Sequence, residues 1–381
     1  MTLADKVEVR KGLKDVYFDR SDTCFIDGKA GKLLFRGYNI HDLAEYSNFE
    51  ETSYLLLHGS LPDRLALAAF VADLKAERSL PDGILRIIEI TRNAHPMDVL
   101  RTAVSAMSTF DDRVSDTSPE SVLHKAVKMT ASAATIVAAH ARIRDGKEPV
   151  APHGGLGHAA NFLYMLNGEA PDPVDANLID KDMVLHAEHG VNASTFAARV
   201  AASTRADIYA AIAAAIAVLK GPKHGGAAEA VMKMAQEVGS EENAEPYVND
   251  LLARGERVMG FGHPVYKTVD PRSVHLKEEA RLLGERMGQP QWFSILRALT
   301  EAPEMKRRAR HGTHPNVDFW AGAVYSLLGI SEDLFIPLFA IGRMPGWATH
   351  VMDQYSKKDL IRPRLQYTGP MDLRYVPIDE R

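Results

Sequence analysis

Residues 183–219 read MVLHAEHGVNASTFAARVAASTRADIYAAIAAAIAVL, and this stretch decides the fold class. Alanine is the best helix former, and the stretch predicts two helices. Side chains this small let helices approach closely, so the pair belongs in the core. Outward from it the chain keeps its character, with Ala, Leu, Met, Glu and Arg dominating. Pro and Gly fall in short clusters: Gly59-Ser-Leu-Pro-Asp63, Leu80-Pro-Asp-Gly83, Gly168-Glu-Ala-Pro-Asp-Pro173 and Gly221-Pro222. These read as tight connections between packed helices. Asp63 to Ser79 carries Leu65, Leu67, Phe70, Val71 and Leu74 on one helical face. Near the N-terminus Cys24-Phe-Ile26 and Leu33-Leu-Phe35 flank Asp27-Gly28-Lys-Ala-Gly31, a hairpin signal. No repeat recurs at a spacing of about 20–50 residues, which argues against a solenoid. The expected fold is all-α with a minor N-terminal β-hairpin.

The 381 residues are 46% hydrophobic and 25% charged, an ordinary globular composition with enough chain for a large core. The length allows about two to three domains. A single cysteine, Cys24, excludes an internal disulfide framework and any Cys-rich metal site. The net charge of −5 argues against a nucleic-acid partner. The longest uncharged apolar run, Ile208 to Leu219, has twelve residues, against the roughly 20 a bilayer needs. The opening MTLADKVEVRKGLKD lacks the apolar core of a signal peptide. The expectation is a cytoplasmic chain with neither membrane nor nucleic acid as partner.

Four clusters mix His, Arg or Asp with Gly or Pro. In His186-Ala-Glu-His189-Gly-Val-Asn-Ala-Ser-Thr-Phe196 the two histidines are three apart and would share a helix face. In Gly221-Pro-Lys-His224-Gly-Gly226 a His sits between glycines where a helix restarts, so a backbone or ligand can come close. A helix N-terminus there would favour an anion and a neutral imidazole. Gly260-Phe-Gly262-His263-Pro-Val-Tyr-Lys267-Thr-Val-Asp-Pro-Arg272 sets a His, a Lys and an Arg on one loop. His314-Pro-Asn316-Val-Asp318-Phe-Trp320 follows Lys306, Arg307, Arg308 and Arg310. Gly342-Arg343 and Arg362-Pro-Arg364 lie downstream.

Each cluster alone has an ordinary reading. A His on an Ala-rich helix reads as a satisfied core side chain, Asn-Val-Asp before an apolar helix as an N-cap, and Lys306 to Arg310 as a solvated face. Gly260-Phe-Gly262 lacks the strand and third Gly of a dinucleotide fingerprint. The pairs His186-x-x-His189 and His311-x-x-His314 could offer metal ligands, but His-Glu-x-x-His spacing is absent, so no metal is expected.

Taken in order, the clusters resemble the motifs of the citrate synthase family. Arg36-Gly-Tyr38, His95-Pro-Met-Asp98 and Arg362-Pro-Arg-x-x-Tyr-x-Gly369 add to the likeness, which runs from about residue 20 to the C-terminus. The resemblance implies a nearly all-α, two-domain homodimer, with a small domain at 225–323 inserted between large-domain parts 1–224 and 324–381. It implies condensation of oxaloacetate with acetyl-CoA and hydrolysis of citryl-CoA to citrate, or the 2-methylcitrate synthase reaction with propionyl-CoA. The coenzyme A thioester is then a co-substrate, and no permanent cofactor is expected.

By the same resemblance Asp318 is the base that takes the methyl proton, His224 holds the enol oxygen, and His263 gives a proton to the keto oxygen. Arg272, Arg343 and His189 take the oxaloacetate. Arg362, or the nearby Arg364, reaches the neighbouring subunit's site. The loop from Val258 to Gly262, Lys267, Asn316 and the basic run ending in Arg310 resemble the coenzyme A region.

Overall fold

The computed structural model describes residues 8–13 and 16–381. Near the N-terminus β1 (Cys24–Asp27), β2 (Lys32–Phe35) and β3 (Tyr38–Asn39) form an antiparallel sheet in that order. Cys24 pairs with Phe35 and Asp27 with Lys32. The Asp27 carboxylate accepts the backbone N–H groups of Lys29 and Ala30 and closes the turn. The expected hairpin is present. The third strand, two residues long, is too short to carry a periodic signal.

Seventeen α-helices follow among the described residues. The first ten are α1 (Ile40–Tyr46), α2 (Phe49–His58), α3 (Arg64–Ala76), α4 (Asp82–Ile90), α5 (Pro96–Met107), α6 (Pro119–Arg144), α7 (His158–Asn167), α8 (Pro173–His186), α9 (Ala193–Ser203) and α10 (Ile208–Leu219). Then come α11 (Ala227–Val238), α12 (Ala244–Ala253), α13 (Pro271–Arg286), α14 (Gln291–Glu301), α15 (Pro303–Ala309), α16 (Asp318–Leu327) and α17 (Phe335–Ser356). The all-α fold class is as expected. No helix among the described residues is long and apolar enough to cross a membrane.

The helix ends follow local chemistry. Asn48, Asp63, Asn192 and Asp207 each accept a backbone N–H two or three residues on, at the starts of α2, α3, α9 and α10. The expected face of α3 is only partly buried. Phe70 and Leu74 enter the core, whereas Leu65 is 82% exposed. In the Ala-rich stretch the two helices are α9 and α10, and Met183 to His186 close the preceding α8. Small residues let α9 and α10 pack closely, and α17 crosses both.

The centre of the core is α6 against α17. The α6 residues from Met129 to Ala141 and most of α17 are buried. Each fully buried Leu, Ile or Val side chain there contributes about 1.5–3 kcal/mol. A second group, α11 to α16, packs largely on itself, with α16 between α11 and α13. Two loops of this second group, before α13 and before α16, meet. Phe261 and Pro315 form an isolated β-bridge, the Gly262 N–H donates to the His314 carbonyl (2.8 Å), and the Asn316 N–H to that of Gly260 (2.9 Å). Gly260 has a φ of +73°, and a Cβ there would lie 2.5 Å from Val231 and 2.8 Å from Phe319. Only glycine fits that position.

Candidate active site

Six pieces of chain line one cleft of about 990 Å³: β1 at Ile26, the segment after α8, the turn before α11, the loop before α13, the start of α16, and α17. They bring together His189, His224, His263, Arg272, Asp318 and Arg343. These residues span more than 150 positions and meet only through the tertiary fold.

His224 lies in the turn between α10 and α11. Its Nε2 is 2.9 Å from the Ser194 hydroxyl, which also accepts the Trp347 indole N–H (3.2 Å) and contacts Asn192 Oδ1 at 2.7 Å. Burial, then the charge of Arg343, pushes its pKa down to about 4. The sequence expected a neutral imidazole from a helix N-terminus, but desolvation is the main cause. His263 uses Nδ1 to accept the backbone N–H groups of Val265 (3.1 Å) and Tyr266 (3.2 Å). A neutral ring in that position carries its proton on Nε2. Burial and then Arg272 push its pKa down to about 4.

His189 is a correction to the sequence reading. Helix α8 ends at His186, so the two histidines do not share a helix face. His189 stands in the following segment, beside Gly190 at φ +59°, where an α-helix cannot continue. Its Nε2 is 3.2 Å from the Tyr266 hydroxyl, and its ring lies 5.1 Å from that of His263. Burial, then Arg272 and His263, holds it well below the usual histidine range.

Arg272, next to the Pro271 that opens α13, is fixed by a two-point ion pair with Asp270. Nε meets Oδ1 at 3.0 Å and Nη2 meets Oδ2 at 2.7 Å. Both groups are buried, and breaking such a pair leaves an uncompensated charge. Arg343 is less completely matched. Its Nε donates to the His186 carbonyl, its guanidinium lies 4.8 Å from the centre of the Phe339 ring, and its buried Nη2 has no partner among the described residues. A buried guanidinium with an unsatisfied donor fits an anionic ligand. Burial lowers its pKa to about 10, so it stays charged at neutral pH.

Asp318 is the first residue of α16, and its backbone N–H donates to the Asn316 side chain at 3.1 Å. Asn316 lies one residue before the N-cap position, Val317, which has no side-chain cap bond; it steadies the first N–H of the helix and also lines the cleft. Burial raises the Asp318 carboxyl to about 6, against the opposing pull of His186 and Arg272. A carboxyl poised near neutrality suits proton abstraction.

Other candidates lie outside the cleft. Lys267 and Arg310 are exposed and line neither it nor its neighbour. Arg362 and Arg364 are exposed in the segment after α17 and contribute nothing to the cleft of their own chain. Arg257, which no motif singled out, lines both the cleft and an adjoining pocket of about 240 Å³ that also contacts Arg308. Its place immediately before Val258 was the available signal. Ser194, Tyr266 and Asp270 stood inside quoted motifs with no role assigned. Among the described residues no group of three or more His, Cys, Asp and Glu could hold a metal ion.

The family model described as citrate synthase, C-terminal domain, matches residues 12–364. A citrate synthase of Haloferax volcanii is 45% identical over 380 residues, covering 98% of this chain and 99% of that protein. A 2-methylcitrate synthase of Corynebacterium glutamicum is 39% identical over 387 residues, covering both chains completely. The solved ternary complex of a Thermoplasma acidophilum citrate synthase with carboxymethyl coenzyme A and oxaloacetate superposes with a TM-score of 0.93. It is 32% identical and covers 98% of this chain and all of that one.

Proposed function

The chain belongs to the citrate synthase family, and we propose that it condenses oxaloacetate with acetyl-CoA and hydrolyses the citryl thioester to citrate and CoA, as an acyltransferase. The observation that carries this reading is one cleft holding a carboxyl near pKa 6, two neutral imidazoles, and a guanidinium with an unmatched donor.

Arg272, Arg343 and His189 bind the two carboxylates and keto group of oxaloacetate, since guanidinium groups suit carboxylates. The Asp318 carboxylate takes a proton from the acetyl methyl group, and the electron pair moves onto the thioester oxygen. His224 donates to that oxygen from Nδ1, with the Ser194 backbone N–H donating to Nε2 (3.4 Å). Such a preorganised donor stabilises charge as it forms. The enol carbon attacks the keto carbon, and the new alkoxide takes the proton on His263 Nε2. Water then cleaves the thioester, and no step calls for a metal or a permanent cofactor. Asn316, Lys267 and Arg310 serve coenzyme A, with Arg257 and Arg308 placed to meet its phosphates.

A 2-methylcitrate synthase among the close relatives favours one alternative, propionyl-CoA. Both donors need the same base and acids, and one methylene in a pocket is worth about 10–200-fold. Measured kcat/KM at saturating oxaloacetate should favour acetyl-CoA. The opposite ratio would make 2-methylcitrate the product.

Residues 225–323 are proposed as a small domain closing on a large domain of 1–224 and 324–381, consistent with α11 to α16 packing largely on themselves. The protein is further proposed to act as a cytoplasmic homodimer. In its support, the segment after α17 exposes Leu365, Tyr367, Leu373 and Tyr375, all at least 67% accessible. Apolar runs this exposed mark interaction surfaces. The partner subunit's Arg362 would then complete each site. Mixing Arg362→Ala with His263→Ala subunits should restore activity that neither has alone, because one site per heterodimer carries neither defect. Inactive heterodimers would remove Arg362 from the partner's site.

A further inference from the structure

The motif His186-Ala-Glu188-His189 carries one acidic residue to which the proposed reaction gives no part. Glu188 is fully buried. It stands past the end of α8, immediately before His189, which lines the cleft from a segment outside any helix. A buried carboxyl is costly unless it is hydrogen-bonded. Its Oε1 is bonded, because His350 of α17 places Nε2 3.0 Å from it. The other ring nitrogen of His350, Nδ1, lies 3.3 Å from Nη1 of Arg199 on α9. A guanidinium has donors only, so Nδ1 accepts and Nε2 is the nitrogen that donates to Glu188. His350 and Arg199 are buried as well. Arg199 is held in turn by Asp19 and by Gln354 Oε1 at 3.1 Å.

This contact is the last of three between consecutive residues of the chain and one face of α17. Arg343 Nε donates to the His186 carbonyl. Gly346 passes the Ala187 carbonyl so closely that a Cβ there would lie 2.1 Å from its oxygen and 2.5 Å from Glu188 Oε2. His350 then takes Glu188. Positions 343, 346 and 350 are spaced by three and four, so they share one side of the helix. Helix α17 therefore grips the chain at residues 186, 187 and 188, and the next residue is His189. Buried polar networks of this kind rigidify what they join.

We propose that Glu188 is a positioning residue for oxaloacetate: bonded to His350, it ties the His189 segment to the helix that carries Arg343, and so fixes the spacing of two groups that grip the same substrate. The inference rests on the reading of His189 and Arg343 as oxaloacetate ligands. Glu188 is not among the residues that line the cleft, and it acts only through His189. Its effect therefore falls on oxaloacetate and not on the acyl donor.

In Glu188→Ala the oxaloacetate Kd, read by calorimetric titration, should rise by about tenfold, the usual effect of leaving one buried hydrogen bond unmade. The KM for acetyl-CoA at saturating oxaloacetate should keep its wild-type value. Glu188→Gln leaves an oxygen for the His350 Nε2–H and should recover most of the wild-type Kd. His350→Leu removes the donor from the other side and should match Glu188→Ala. It carries the test if Glu188→Ala does not fold. The deciding measurement repeats either substitution in a His189→Ala background. A residue that acts through His189 has nothing left to act on there, so the Kd should rise little further. A purely structural role would raise the Kd by the same factor in both backgrounds, and that result overturns the proposal. So does a wild-type Kd in folded Glu188→Ala or His350→Leu. His189→Ala also separates the two readings. If it raises the Kd while Glu188→Ala does not, only the role of Glu188 fails. If it leaves the Kd unchanged, the assignment of His189 fails and the positioning role with it.

Discussion

Asp318→Asn is expected to lower condensation by about 10²–10⁴-fold, the usual cost of losing a general base, while oxaloacetate still binds. The substitution keeps the size of the side chain and leaves the start of α16 intact, because the bond there joins the Asp318 backbone N–H to Asn316 and does not use the carboxyl. What it removes is the one acidic side chain that lines the cleft among the described residues. The same carboxyl sets the acid side of the rate profile. Burial raises its pKa to about 6, so it is a carboxylate above that pH and holds the proton it should accept below it. The wild-type kcat/KM should therefore fall as pH drops through about 6 and stay level above. The residual rate of the variant should lack that limb. Thioester cleavage across pH and calorimetric titration with oxaloacetate together measure both statements. A variant keeping more than about a tenth of wild-type turnover would remove Asp318 from the base role.

This electrostatic poise was not legible in the chain, although the residue was. Pro-Asn-Val-Asp-Phe marks Asp318 as a candidate, but its pKa depends on α8, α13 and α16 meeting around it. The helical class was legible because alanine-rich stretches, Pro-Gly connections and Asx caps are local properties. The break after His186 was harder to see. A spacing of three suits a helix, and only Gly190, at a positive φ, ends that possibility. The outward side of α3 shows the same limit: Leu65 fits the apolar stripe by period, yet no element among the described residues covers it. Motif order picked out His189, His224, His263, Arg272, Asn316, Asp318 and Arg343, all of which line the cleft. It could not separate Lys267 and Arg310, which face solvent, from Arg257, which lines the cleft, because all three are simply basic residues near the same loops.

His263→Ala and His224→Ala should each lower turnover by about 10²–10⁴-fold, through loss of an acid and of an enol donor respectively. The double variant should lose little more than the worse single one, since both groups act on one transition state. The geometry also fixes the charge state in which they work. Two backbone N–H groups occupy Nδ1 of His263, which leaves the proton on Nε2 without any need for a positive ring. Burial pushes both histidines down to about 4, so each takes up a second proton only as pH falls through that value. An ordinary histidine titrates between about pH 5 and 8. Here kcat/KM should show only the Asp318 limb in that interval, with no basic limb above it. An imidazolium acid would instead lose its proton on the way to pH 8 and take the rate down with it. A basic limb present in the wild type and absent from His263→Ala would establish the charged acid and overturn the neutral one.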